Sequence, residues 1–124
     1  MKKVCGVVSV AALMFLSFSV FAKGLVFEVD GKKYEAAQND LKDVTWDQAN
    51  SECSKLKGWS LPSYDLVYGM YEQLYKKGIG GFSKVRYWSS NEALSVMHEI
   101  QNFSTGESVY SKGSKDYARC VKAL

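Results

Sequence analysis

Thr45-Trp46-Asp47-Gln48-Ala49-Asn50-Ser51-Glu52-Cys53 is the stretch whose reading decides the fold. The Thr45 hydroxyl can accept from a backbone N–H of the first turn, and the Gln48 side chain can reach back to the Thr45 N–H, the reciprocal pair of a capping box. Trp46, Ala49, Cys53 and Leu56 follow at intervals of three, four and three, so one face of a helix starting at Thr45 is apolar. Gly58 stops it. That apolar face carries a cysteine. A second cysteine, Cys120, lies near the far end of the chain in the strand-like run Tyr117-Ala118-Arg119-Cys120-Val121.

The compartment decides whether these cysteines pair. Lys2-Lys3 is a basic opening, residues 4–21 form an apolar run, and Val20-Phe21-Ala22 supplies a cleavage site. Residues 1–22 therefore read as a cleaved, bacterial Sec-type signal peptide, with the periplasm, the cell surface or the medium as destination. The alternative is an uncleaved anchor, since the run approaches the length that spans a bilayer; its end at Ala22, without charges like those at its start, favours cleavage. Cys5 comes too early for lipid attachment and leaves with the signal. An even pair then remains in a compartment where disulfides persist, and a Cys53–Cys120 bond is expected. On the chain-entropy model such a loop is worth about 4 kcal/mol.

Residues 23–124 are enough for one domain with a small core, which suits a covalent staple. The formal charge of +3 falls towards neutrality when Lys2 and Lys3 leave, so nucleic acid is excluded as a partner, and no membrane insertion is expected after cleavage. Leu25 to Tyr34 reads as a β-hairpin turning at Asp30-Gly31, and residues 39–43 as a polar connection. Pro62, the only proline, precedes a second helix capped by Ser63, with Asp65 at its positive end and Leu66, Val67, Met70, Tyr71 and Leu74 on its apolar face. Gly78-Ile79-Gly80-Gly81 reads as a flexible linker. Strands follow at residues 85–88, 96–103, 107–111 and 117–121. Strands, two helices and then strands imply an α+β fold.

Taken in order, Thr45-Trp46-Asp47 to Cys53, Trp59-Ser60-Leu61-Pro62-Ser63 opening a helix, Tyr87-Trp88-Ser89-Ser90, Asn102-Phe103 with Thr105-Gly106, and Arg119-Cys120-Val121 resemble the bacterial DUF1566 family, also called the Lcl C-terminal domain after a collagen-like adhesin. The resemblance covers residues 44–122. It implies a C-type-lectin-like fold: two helices beside a looped, mostly antiparallel sheet, the first helix disulfide-linked to the last strand. There is one departure. Where the family carries Asp-Trp-Arg-Leu-Pro, this chain has Gly58-Trp59-Ser60-Leu61-Pro62, so any ion pair made by the missing aspartate and arginine is lost.

No catalytic site is expected. His98, the only histidine, alternates with Met97 and Glu99 in a strand and reads as solvent-facing or half-buried. Both remaining cysteines are assigned to the bond, and too few His or Cys are left for zinc. The Glu-Pro-Asn, Gln-Pro-Asp and Trp-Asn-Asp triplets of calcium-dependent lectins do not occur, so neither metal nor cofactor is expected. The glycine loop lacks the Lys-Ser/Thr of a phosphate cradle. Basic residues gather around it (Lys76, Lys77, Lys84, Arg86) and near the end of the chain (Lys112, Lys115, Arg119). With an aromatic such as Tyr87 or Tyr110, they could hold sulfate or carboxylate groups. Trp46 and Trp88 read as core, and Tyr68, Tyr75 and Tyr117 as partly exposed.

These readings converge on a non-catalytic, adhesin-like domain that binds a glycan, an anionic polysaccharide in particular, without calcium. Loops 78–92 and 104–116 carry the site, with Lys84, Arg86, Tyr87, Asn91, Lys112 and Lys115 as ligand contacts. The competing reading is a module that binds an envelope or host protein through its aromatic surface.

Overall fold

The computed structural model describes residues 24–93 and 96–124; the signal-peptide reading and Cys5 fall outside them. Leu25–Val29 (β1) and Lys32–Ala36 (β2) form the expected hairpin. Asp30 and Gly31, with φ of 53° and 78°, provide the left-handed pair that a two-residue turn requires. Leu41–Val44 (β3) corrects the polar connection expected there. Leu41 and Val44 pack against a core cluster and the segment pairs with a later strand, with a register shift between Leu41 and Val44, a stretch in which Asp43 has a φ of 52°.

The first helix, Trp46–Cys53 (α1), starts with both bonds of the capping box: Thr45 Oγ1 accepts from the Gln48 N–H, and Gln48 Oε1 from the Thr45 N–H. It ends earlier than its apolar spacing implied. Ser54 caps it with its hydroxyl donating to the Asn50 carbonyl, and Leu56 is left outside, 68% exposed. Trp59–Ser60 (β4) follows, then Tyr64–Gln73 (α2), capped by Ser63 as expected. A 3-10 turn at Tyr75–Lys77 ends at Gly78 in the left-handed conformation.

Arg86–Ala93 (β5), Met97–Asn102 (β6) and Ser108–Ser111 (β7) form a meander. The run expected as one last strand is two, Asp116–Ala118 (β8) and Val121–Ala123 (β9), which belong to different sheets. The break falls at Arg119-Cys120, where one side chain turns inward to an aspartate and the other is bonded to α1. The first sheet has the order β1-β2-β9-β4 and is antiparallel; the second, β3-β8-β5-β6-β7, has one parallel contact, Tyr87 with Tyr117. Among the described residues the fold is α+β, with two helices and mostly antiparallel sheets. The Cys53–Cys120 disulfide, Cα atoms 5.2 Å apart, joins α1 to the start of the last strand.

α2 lies against β1, β5 and β6 and so bridges the two sheets over a core of Phe27, Ala36, Val67, Met70, Leu74, Tyr87, Phe103 and Val121. α1 closes a second core of Ala49, Cys53, Leu61, Trp88, Ile100 and Ala118. β5 is covered on both faces, which is why Tyr87 and Trp88 are buried in succession although their side chains point opposite ways. No helix among the described residues is long and apolar enough to cross a membrane.

Candidate ligand-binding clefts

The meander and the β7–β8 turn bring three of the expected contact residues together. Lys84, Arg86 and Lys115 line one cleft of about 310 Å³, with Asp43, Asn102, Ser104, Asp116 and Tyr117. Its floor is built by Arg86. Arg86 Nε and Nη2 donate to the two Asp116 oxygens at 2.9 and 3.0 Å, and Nη2 also donates to Ser114 Oγ. Ser114 in turn donates to Asp116 and shares a hydrogen bond with Ser111. The fork of the guanidinium matches the carboxylate, and the Asp116 hydrogen bond holds Arg86 still more firmly protonated than usual. Arg86 therefore orders the 111–116 turn, while Lys84 and Lys115 are exposed and form no ion pair among the described residues.

Tyr87 lies in the core and lines neither this cleft nor the one at Trp46. It is 1% exposed and packs against Phe103 with ring centroids 4.3 Å apart; its hydroxyl donates to Asp40 and accepts from the Ser83 N–H. Burial pushes its phenol far above the ordinary value, and the Asp40 carboxylate adds to the effect. Nor does Asn91 line this cleft: its Oδ1 accepts from the Tyr64 N–H, satisfying one of the free donors at the start of α2. Arg119 leaves the surface basic group altogether, being 1% exposed and paired with Asp40. Its guanidinium also donates to the carbonyls of Ala37, Gly80 and Gly81. The glycine loop, expected to be a flexible linker, is thus tied to the interior.

Lys112 lines a different cleft of about 490 Å³, with Thr45, Trp46, Asp47, Glu92, Val96 and His98. Here both the histidine and the tryptophan differ from expectation. His98 is buried, 9% exposed, and lies flat on Trp46 with ring centroids 3.8 Å apart and planes at 9°. Trp46 is half-buried rather than core, its indole N–H donating to the Ser89 carbonyl. Trp88 is core as expected, its N–H donating to the Val44 carbonyl.

Asp43, Asn102 and Tyr117 in the first cleft, and Asp47, Glu92 and His98 in the second, were not singled out as ligand contacts. Asp43 and Tyr117 reach the first cleft through the long-range β3–β8 and β5–β8 contacts, and Asp47 reaches the second on α1, which no local spacing encodes. Glu92 and His98, by contrast, face each other across the β5–β6 hairpin. Among the described residues no three His, Cys, Asp or Glu side chains are grouped to hold a metal ion, and both described cysteines are oxidised. No protein-family model and no curated protein matches this chain.

Proposed function

We propose that this is an exported, non-catalytic binding domain that holds an acidic glycan at the Lys84–Lys115 cleft without calcium. The observation that carries the reading is the convergence of Lys84, Arg86 and Lys115 on one recess. Arg86 is fixed by Asp116, so the two free ammonium groups stand on a pre-ordered rim, which reduces the entropy lost on binding. Asn102, Ser104 and Tyr117 add amide and hydroxyl groups and a ring for the sugar hydroxyls and faces. The order of elements and the bond from α1 to the last strand support a C-type-lectin-like fold of the DUF1566 kind, in which loops on a rigid scaffold select the ligand.

The test is a glycan array probed with the exported, oxidised protein, with and without chelator and at two salt concentrations. Binding to acidic glycans that survives chelation, fades with salt and is lost in Lys84→Ala/Lys115→Ala is the expected result. A blank array, or binding that the double substitution leaves intact, overturns it.

One observation favours a second reading, a protein-interaction module. Tyr64, Tyr68, Tyr71 and Tyr75 form a ladder along α2 and the turn after it, with successive centroids 6.3, 6.0 and 5.7 Å apart, and Tyr68 is 42% exposed. Tyrosine is enriched at interface hot spots. This reading predicts a stable partner in pull-downs from the cell envelope, retained at high salt and lost in Tyr68→Ala.

A further inference from the structure

We infer that the Trp46–His98 cleft is a second subsite, for an uncharged sugar unit of the same glycan, so that the ligand is a polysaccharide carrying both acidic and neutral residues. The inference rests on the function proposed above.

The two clefts have no lining residue in common but draw on neighbouring residues of the same segments. Asp43 lines the first and Thr45 the second, two residues further along, a reach of at most about 7 Å of backbone. Lys115 and Lys112 likewise stand on the same β7–β8 turn, one in each cleft. On this inference the ligand runs along the Asp43–Thr45 segment from one recess to the other.

Their chemistry differs. In the second cleft the carboxylates of Asp47 and Glu92 outnumber the single ammonium of Lys112, and none of the three forms an ion pair among the described residues. Two carboxylates repel a sulfate or uronate but accept hydrogen bonds from sugar hydroxyls, and Lys112 donates to a ring or acetamido oxygen. One wall is the Trp46–His98 stack. It is fixed by the Trp46 N–H to Ser89 bond on one side and by Trp88, edge-on to the imidazole with centroids 6.3 Å apart, on the other.

The test compares two probes of matched length on the exported, oxidised protein: polygalacturonate, acidic at every residue, and hyaluronan, in which an uncharged N-acetylhexosamine alternates with a uronate. Calorimetry gives affinity per acidic group, and NMR follows the Trp46 indole N–H and the His98 ring. Hyaluronan is expected to bind about tenfold tighter and to shift the Trp46 and His98 signals, and Asp47→Asn/Glu92→Gln is expected to abolish the difference between the polymers. Equal affinities, or unmoved Trp46 and His98 signals, with polygalacturonate still bound through Lys84 and Lys115, overturn the subsite and leave the proposed function standing. If neither polymer binds, or if Lys84→Ala/Lys115→Ala leaves polygalacturonate binding unchanged, the proposed function falls and the subsite with it.

Discussion

Arg119 and Asp40 meet inside the fold, Nε 2.8 Å from Oδ1, with side chains 1% and 4% exposed. The guanidinium also lies 3.9 Å from the Phe82 ring centroid and donates to three backbone carbonyls. The pair joins the segment after β2, the glycine loop and the β8–β9 junction. Each guanidinium nitrogen has a partner and both Asp40 oxygens accept, one from Arg119 and one from Tyr87, so removing one partner strands the other.

Arg119→Leu, which leaves Asp40 buried without its counter-charge, is therefore expected to cost about 3–5 kcal/mol. Arg119→Lys is expected to recover only part of this, because an ammonium cannot reach a carboxylate and three carbonyls in one plane. Urea denaturation of the oxidised protein measures both, and a loss under 1 kcal/mol for the leucine variant would contradict the hub.

Tyr87 sets an alkaline limit. Its folded-state pKa is raised above the unfolded value of about 10, chiefly by burial and further by the Asp40 charge. Above that value the unfolded chain gives up a proton that the folded chain keeps, so the linkage lowers stability as pH rises. The midpoint of thermal unfolding is expected to fall between pH 9 and 11, and the fall to be shallower in Tyr87→Phe, which has no phenol to ionise. Tyr64, raised by burial and the nearby Glu99, contributes in the same direction and leaves a residual slope. Identical pH profiles for the two proteins would remove Tyr87 from the account.

Local chemistry was legible in the sequence where it depends on neighbours. The Thr45–Gln48 box, the Ser63 cap and the Asp30-Gly31 turn all formed as read. Long-range placement was not. β3 forms because Leu41 and Val44 find a core and β8 as partner, and Tyr87 is buried because β5 is covered on both sides. Gly69 is a similar case. Nothing in the sequence explains a glycine inside this helix, but a Cβ there would lie 2.8 Å from Val29 Cγ2 and 3.3 Å from Phe27 Cδ2, so the glycine lets α2 approach β1. Of the residues expected from the charge pattern, Lys84, Arg86 and Lys115 come together in one cleft. That pattern could not show that Arg86 is occupied by Asp116 or that Arg119 is internal.

Arg86 and Lys84 line the same cleft but are expected to separate experimentally. Lys84→Ala removes an exposed ammonium and should leave unfolding within about 0.5 kcal/mol of the parent while weakening binding to an acidic glycan. Arg86→Ala should cost about 1 kcal/mol, because its partner Asp116 is only 9% exposed, and should broaden the NMR signals of residues 111–116. If Arg86→Ala left those signals sharp, the turn would be held by something other than the guanidinium.

The disulfide links stability to the second cleft. Cys53 and Cys120 are 67 residues apart in sequence, and a loop of that size corresponds to about 4 kcal/mol on the chain-entropy model. Cys53→Ser/Cys120→Ser is expected to lower the unfolding midpoint by roughly 20 °C. The bond also fixes the C-terminal end of α1, the helix whose first turn carries Trp46 and Asp47, whereas Lys84 and Lys115 stand on the second sheet and its loops. At a temperature where the serine variant remains folded, amide exchange should therefore rise more in residues 45–53 than in residues 84–90. Uniform acceleration across both segments would mean that the bond stabilises the whole fold without holding α1 in particular.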